Sequence, residues 1–376
     1  MMLDKDPSDG DHAGPLPVGT DIPLASYNPQ RQVRTTKTLV ERSAVPSIDA
    51  HNHLGTWLSP KGSWMVPNVE DVIETMKLHN VRHIVNLDGR WGRELDSNLR
   101  RYDEAHPQLF STFFQPDLTV LARPAAKASK ALVGQLRESA ARGAKGVKVW
   151  KTLGVEHRDE GGELVLPDSP LVQPFFEAAG EFGLPVTIHT ADPIAFFRPL
   201  DRFNERLENL SEFPEWWYGA PGFPTFDQLI DSLESLVASN PGTTFVGAHV
   251  GCFAEDLARV SSMLSSYPNY NVDLGARMAE LGRQPRRTRE LILSHPTQVL
   301  FGTDEYPVSG ENYARWFRFL ETDDECFSYS TDGGIPPMGR WDISAIDLPT
   351  ESLELLYAGN AARILRLPPA TAAQRG

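Results

Sequence analysis

Short apolar runs alternate with amphipathic stretches along most of this chain. The apolar runs, rich in β-branched, leucine and aromatic residues, have the length of strands: 48–53, 81–87, 109–114, 147–150, 186–189, 244–249, 270–274 and 299–301. Apolar residues at helical spacing mark stretches between and after them: 69–78, 93–105, 125–142, 169–182, 226–238, 254–264, 286–293 and 351–365. Strands that alternate with helices predict a parallel sheet, and this number of units predicts an α/β protein of the (β/α)8 TIM-barrel class.

The domain organisation predicted is a single barrel domain over residues 26–376, preceded by a flexible arm over residues 1–25. The arm is inferred from its polar composition, rich in Asp, Gly and Pro. Two intervals are long for strand–helix connections, 191–224 after the fifth strand and 305–350 after the eighth. We expect these long loops to form walls or lids of a pocket, although their aromatic residues are also typical of packing and subunit contacts.

Composition and charge narrow the range of partners. The 376 residues carry a formal net charge of −14, which argues against nucleic acid or an acidic membrane surface as the main partner. No stretch approaches the ~20 apolar residues of a membrane span, and residues 1–19 lack the apolar core of a signal peptide. Cys252 and Cys326 form neither a disulfide framework nor a CxxC motif. We therefore expect a cytoplasmic protein with a small-molecule substrate and no nucleic-acid or membrane partner.

Residues able to bind metal recur at the ends of the predicted strands. His51 and His53 are separated by one residue, so in an extended strand both imidazoles project to the same face. Three further runs close on His189, His249 and Asp304. Each alone would be explained by a buried hydrogen-bonded histidine or a turn-capping aspartate. Because the C-terminal ends of barrel strands converge on one mouth, their recurrence predicts a single site.

With these motifs in order, the chain resembles the amidohydrolase superfamily, and within it the amidohydrolase-related group of metal-dependent hydrolases and aromatic acid decarboxylases. The resemblance covers about residue 45 to the end. It rests on these segments: Ile48-Asp49-Ala50-His51-Asn52-His53, His189, Gly247-Ala248-His249, Gly302-Thr303-Asp304 and Gly359-Asn360-Ala361-Ala362-Arg363-Ile364-Leu365. It implies metal ligation by His51, His53, His189 and Asp304, with His249 as a ligand of a second metal or as a catalytic acid or base.

Lys148 lies at a position that distinguishes two groups within this superfamily. The resemblance implies that a lysine on the fourth strand is carboxylated by CO2 and bridges two metals in binuclear members, whereas mononuclear, decarboxylase-like members generally lack it. Lys148 shares strand phase with Trp150, while Val147 and Val149 face the helices, so its side chain should point into the barrel. A salt bridge to a barrel carboxylate is the alternative explanation.

These residues favour a metal-dependent hydrolase, in which a divalent ion activates water for attack on a small carbonyl substrate such as an amide, lactone or ester. Asp304 and His249 are the expected catalytic residues. Zinc is the expected metal, as one or two ions, with manganese, iron and cobalt as alternatives. The runner-up function is a nonoxidative metal-dependent decarboxylase of an aromatic or unsaturated acid. An inactive barrel that serves as a binding protein is less well supported, because every ligand position is intact.

Three residues are expected to contact the substrate. Arg277 follows the seventh strand, Trp150 ends the fourth, and Arg198 lies in the long loop after the fifth. Arg277 suits a substrate carboxylate, with a surface ion pair as the alternative. The resemblance is also compatible with a homodimer.

Overall fold

The computed structural model describes residues 22–23, 27, 29, 31–59, 61–330 and 335–368. The chain divides into the units Met1–Arg34 and Thr35–Gly376, and all described strands and helices belong to the larger one. The arm predicted over residues 1–25 lies outside the described residues except for positions 22 and 23. Among the described helices, none has both the length and the apolar character needed to cross a membrane.

Parallel strands form the centre of the larger unit, and each is short. Their bounds are β1 Ser47–Asn52, β2 Val81–Asn86, β3 Phe110–Thr112, β4 Val147–Val149, β5 Val186–Ile188, β6 Phe245–Gly247, β7 Tyr270–Asp273 and β8 Val299–Leu300. The first three pair in the order β1-β2-β3 and the remaining five in the order β4-β5-β6-β7-β8. Every pairing is parallel, as the alternation with helices predicts.

Backbone contacts connect these two groups of strands at both seams. Between β3 and β4, Phe114 forms a parallel bridge with Val147, and the Lys148 amide donates to the Phe114 carbonyl at 2.8 Å. Between β8 and β1, the Ala50 amide donates to the Phe301 carbonyl at 3.0 Å. The predicted (β/α)8 TIM-barrel class is confirmed.

Each strand is followed by a helix that packs on the outside of the barrel. The bounds are Val69–His79, Gly92–Leu99, Ala125–Arg142, Gln173–Glu181, Phe226–Ser239, Leu257–Ser266, Pro285–Ser294 and Gly310–Glu321. Local signals set their ends. Thr225 and Gln228 form a capping box at the start of Phe226–Ser239, and Gly143, with φ of 109°, ends Ala125–Arg142 in the left-handed conformation.

The structure departs from the predicted elements at several places. The predicted helix 93–105 is divided into Gly92–Leu99 and the π-helical Arg100–Glu104, and helix Leu207–Glu212 lies inside the interval 191–224 expected to be a loop. Helix Gly310–Glu321 lies inside the interval 305–350 expected to be a loop, and it packs its aromatic face into the core. The predicted last helix, 351–365, is divided into Thr350–Glu354, the π-helical Leu355–Gly359 and Asn360–Leu365. β6 ends at Gly247 rather than at residue 249, because the chain leaves the strand in a left-handed turn.

Candidate metal centre

A buried polar network joins the ends of β1 and β8 and sets His51 beside Asp304. The Asp49 carboxylate accepts hydrogen bonds from the Thr303 amide at 2.9 Å, the Thr303 hydroxyl at 2.7 Å and the Tyr313 hydroxyl at 3.1 Å. The amide of the following residue, Asp304, donates to the His51 carbonyl at 2.7 Å. The backbone is therefore held at the point where both candidate ligands emerge.

Gly302 allows the two strands to approach this closely. A Cβ atom at position 302 would lie 2.8 Å from the His51 Cβ and 3.1 Å from the His51 amide nitrogen. Both neighbours belong to or adjoin the backbone of β1, so neither can rotate away. Glycine is the residue that fits without displacing His51.

Histidines and an aspartate converge on one small volume at this end of the barrel. His51, His249 and Asp304 each offer a ligand atom, and these atoms lie within 4.8 Å of one another. Asp304 Oδ1 is 3.5 Å from His51 Nε2 and 3.2 Å from His53 Nε2. The three histidines are buried, whereas 16% of the Asp304 side chain is exposed, so the cluster opens to solvent at the aspartate. Burial alone would raise the pKa of Asp304, but His51 and His53 outweigh it and hold that pKa well below its usual range.

Two of these histidines have one nitrogen occupied by a supporting group. His51 Nδ1 lies 2.9 Å from Asp273 Oδ2, and His249 Nδ1 lies 2.9 Å from the Gly275 carbonyl oxygen. A carbonyl oxygen only accepts, so we assign the His249 proton to Nδ1 and a lone pair to Nε2. The Asp273 carboxylate favours the same tautomer of His51. Partners of this kind orient metal-binding histidines and raise their basicity.

Asp273 is a site residue that the sequence prediction missed. It is the last residue of β7, and the predicted ligands likewise lie at the ends of their strands. That position is the signal that could have revealed it. Besides binding His51, it accepts hydrogen bonds through Oδ1 from the amides of His249 at 3.1 Å and Gly275 at 2.9 Å. Burial alone would raise its pKa, but His51 outweighs this and lowers it. One carboxylate thus orients both the His51 ring and the His249 backbone.

His249 lies in a strained left-handed turn directly after β6. His249, Val250, Gly251 and Cys252 have φ values of 60°, 60°, 65° and 61°. The Cys252 amide closes the turn by donating to the Ala248 carbonyl at 2.9 Å. Left-handed backbone costs about 1–2 kcal/mol for each non-glycine residue, and a β-branched valine is an outlier there. The surrounding structure must therefore hold this turn, which keeps the buried His249 ring in the cluster.

Lys148 points into the barrel, as its strand phase predicts. Its side chain is fully buried, and Nζ lies 3.2 Å from His51 Nε2 and 5.0 Å from the centre of the Trp150 ring. Within the described part of the chain Lys148 forms no ion pair, so the alternative of a salt bridge to a barrel carboxylate is not seen. Burial lowers the pKa of Lys148, although the charges of Asp304 and Asp273 oppose this effect. A lowered pKa enlarges the neutral fraction, which is the nucleophilic form of a lysine.

His189 belongs to the same group of imidazoles but has a different support. Its ring centre lies 4.4 Å from that of His249 and 5.7 Å from that of Trp150. Neither ring nitrogen has a hydrogen bond within the described residues, but Nε2 is 3.4 Å from Asp192 Oδ1. Asp192 is bound in turn by Lys151. Burial lowers the pKa of His189 to about 4.

The three predicted substrate contacts lie in different environments. The Trp150 ring centre is 5.3 Å from that of His53. Arg277 is buried, donates to the carbonyl of the preceding residue at 3.0 Å, and forms no ion pair with any described residue. Its charge is close enough to His249 to contribute to the lowered pKa of that residue, after the larger effects of burial and of His189. The Arg198 side chain is exposed, and no hydrogen bond or ion pair with described residues connects it to the cluster.

The donor set fits a divalent metal ion. Imidazole nitrogen and carboxylate oxygen are ligands that zinc, manganese, iron and cobalt all accept. His53 Nδ1 and both nitrogens of His189 are buried without a hydrogen bond among the described residues, an arrangement that is costly unless a ligand compensates it. The geometry therefore defines a class: a (β/α)8 barrel with a histidine and aspartate cluster, able to hold metal, at the C-terminal ends of its strands.

Comparison with known proteins identifies the family. The amidohydrolase family model matches residues 48–367, and the chain belongs to this family. No curated protein matches it.

Solved structures share the fold. A 2,6-dihydroxybenzoate decarboxylase complexed with 2,6-dihydroxybenzoate superposes with a TM-score of 0.55 at 14% identity, over 86% of this chain and 100% of that one. A putative amidohydrolase from Staphylococcus aureus gives 0.54 at 14% identity, over 86% and 100%. A dihydroxybenzoic acid decarboxylase from Polaromonas sp. JS666, with bound manganese and the inhibitor 2-nitroresorcinol, gives 0.53 at 13% identity, over 87% and 98%.

Proposed function

We propose that this protein is a metal-dependent hydrolase of small carbonyl substrates, either amides, lactones or esters. The observation that supports this function best is the placement of Lys148, buried 3.2 Å from His51 Nε2 with no carboxylate partner among the described residues. Addition of the neutral Nζ to the carbon of CO2, with loss of one proton, gives a carbamate. That group would add an anionic bridging ligand to the cluster.

The proposed ligands are His51, His53, His189 and Asp304, with His249 and carboxylated Lys148 completing a site for two ions. A bound divalent ion supplies Lewis acidity and a nucleophilic water at neutral pH. Zinc is our first choice because four-coordinate zinc accepts this mixture of nitrogen and oxygen donors. Manganese is the alternative, and the decarboxylase from Polaromonas contains it.

The roles of the surrounding residues follow from their exposure and partners. Asp304 is the partly exposed member of the cluster, so its carboxylate can accept a proton from the attacking water and return it to the leaving group. His249, with Nδ1 bound to the Gly275 carbonyl, presents Nε2 to the substrate oxygen or to the second ion. Arg277 would bind an anionic substituent of the substrate, and Trp150 would form an apolar wall beside His53.

A nonoxidative decarboxylase is the second candidate. The observation that favours it is Arg277, a buried cation without an ion-pair partner in the described structure, because such a group suits a substrate carboxylate. Dihydroxybenzoate decarboxylases are among the solved structures with this fold. In this reaction His249 or Asp304 would deliver a proton to the carbon atom that loses CO2.

One experiment separates the two candidates. Protein reconstituted with Zn²⁺ and bicarbonate is assayed for hydrolysis of p-nitrophenyl acetate, N-acetyl amino acids and simple lactones, and for CO2 release from 2,6-dihydroxybenzoate. We expect metal-dependent hydrolysis that falls by about 10²–10⁴-fold in D304N, the range for loss of general acid–base catalysis. E290Q, which changes an exposed carboxylate on helix Pro285–Ser294, is the matched control and should match wild type. CO2 release without hydrolysis would select the decarboxylase.

A further inference from the structure

Two buried residues and one partly buried lysine form a chain of contacts that ends at a proposed metal ligand. The Lys151 ammonium binds Asp192 Oδ2, and Asp192 Oδ1 faces His189 Nε2 at 3.4 Å. The side chains of Lys151, Asp192 and His189 are 18%, 8% and 7% exposed, so water competes little for these contacts. One oxygen of the Asp192 carboxylate therefore faces the cation, and the other faces the imidazole.

We propose that Lys151 and Asp192 are positioning residues that fix the orientation and tautomer of His189 for metal binding. This inference rests on the proposed metal-dependent function. With Asp192 facing Nε2, the proton of His189 is favoured on Nε2. Nδ1, which is buried and without a hydrogen-bond partner among the described residues, then carries the lone pair for the ion.

Lys151 keeps the carboxylate from turning away. Its Nζ lies 5.5 Å from the centre of the Tyr218 ring and 5.9 Å from that of Trp216. The cation thus contacts two aromatic rings in addition to the Asp192 carboxylate. Asp192 begins the long segment after β5, and the two aromatic residues lie near its end. Lys151, which follows β4, therefore contacts both the beginning and the end of the long segment after β5, next to His189.

His189 differs in this respect from the other two histidines with supports. His51 is held by Asp273 and His249 by a backbone carbonyl, and both supports come from β7 or the residues after it. The direct support of His189 is Asp192, which lies three positions further along the same chain segment. It can therefore be changed without disturbing Asp273.

Substitution of the pair tests the proposal with metal alone as the probe. The metal-free protein is titrated with Co²⁺, and the visible absorption spectrum and the affinity are recorded at one pH. Asn at position 192 can donate to His189 Nε2, which moves the proton to Nδ1, so D192N should lower Co²⁺ affinity by about 10–100-fold and alter the spectrum. K151M should change both in the same direction, and K151R, which keeps the cation, should restore them.

A matched control separates positioning from general destabilisation. Asp324 is also a buried, ion-paired aspartate, bound by Arg318 at 2.7 Å and by Thr38. D324N should reduce stability and leave Co²⁺ affinity and spectrum as in wild type. Thermal melting of the metal-free variants shows which of them fold.

The outcomes separate this inference from the function on which it rests. If folded D192N and K151M bind Co²⁺ with wild-type affinity and spectrum, the pair is merely structural and the proposal is overturned, while the metal site stands. If wild type itself binds no Co²⁺, the proposed function fails and the inference fails with it. If D192N does not fold, the comparison of K151M with K151R decides.

Discussion

Replacement of Gly302 by alanine tests how tightly β8 must approach the proposed ligands. The new Cβ would lie 2.8 Å from the His51 Cβ, whereas carbon atoms in contact are separated by about 3.5–4.0 Å. Relief requires β1 and β8 to separate by about 1 Å, since the conflicting atoms belong to or adjoin backbone. Overpacking of this kind costs about 1–3 kcal/mol. The displacement moves His51. It also moves Asp304, because the Asp304 amide donates a hydrogen bond to the His51 carbonyl.

The control is the same substitution at Gly134, an exposed position inside helix Ala125–Arg142. No atom lies within 4 Å of a Cβ built there, so alanine should stabilise by about 0.5–1 kcal/mol through its higher helix propensity. Equilibrium urea unfolding of the metal-free proteins, followed by circular dichroism, measures both effects. Zn²⁺ affinity, measured by competition with a chromophoric chelator, should fall in G302A alone. A G302A protein with wild-type stability and Zn²⁺ affinity would refute the reasoning.

Three further predictions concern a support of His51, a buried histidine of β2 and the effect of bound metal on stability. D273N places an amide NH2 opposite His51 Nδ1 and disfavours the proton there, so Zn²⁺ affinity should fall by about 10–100-fold in a calorimetric titration. Burial lowers the pKa of His83 to about 4, below its usual value, so its contribution to stability is present above about pH 6.5 and is lost as the pH falls through 4. Urea midpoints between pH 7 and pH 4 should therefore decline less steeply in H83Q than in wild type. Zn²⁺ at 100 times its dissociation constant should stabilise wild type by about 2.7 kcal/mol in thermal unfolding, and D304A by much less at the same concentration.

The barrel could be predicted because periodicity reports on each strand and helix separately. The run at 299–301 is only three residues long, yet its place in the alternation indicated β8 at Val299–Leu300. The left-handed turn after β6 could not be predicted in this way. Val250 has no intrinsic preference for that conformation, and the contacts that stabilise it come from elsewhere in the fold. Helix Gly310–Glu321 did carry a signal, because Tyr313, Trp316, Phe317 and Leu320 are at helical spacing.

The convergence of the candidate ligands could be predicted because barrel topology alone brings strand ends together. Their supports could not. Asp273 lies 222 residues from His51, and nothing in the local sequence indicates that these two side chains meet. The contact between Asp192 and Lys151 could not be predicted either, since a polar residue after a strand is usually a turn residue. The absence of an ion-pair partner for Lys148 and Arg277 among the described residues is likewise a property of the packed structure.

The measurement that tests the central claim most directly is the metal-to-protein ratio by elemental analysis. Protein purified without chelator is measured as isolated and after reconstitution with Zn²⁺ and bicarbonate, in wild type and in K148A. The account predicts about two ions per wild-type chain in the presence of bicarbonate, and fewer in K148A. A ratio of about one that is indifferent to Lys148 would contradict the binuclear hydrolase and favour the decarboxylase. No bound metal under either condition would contradict the metal-dependent function altogether.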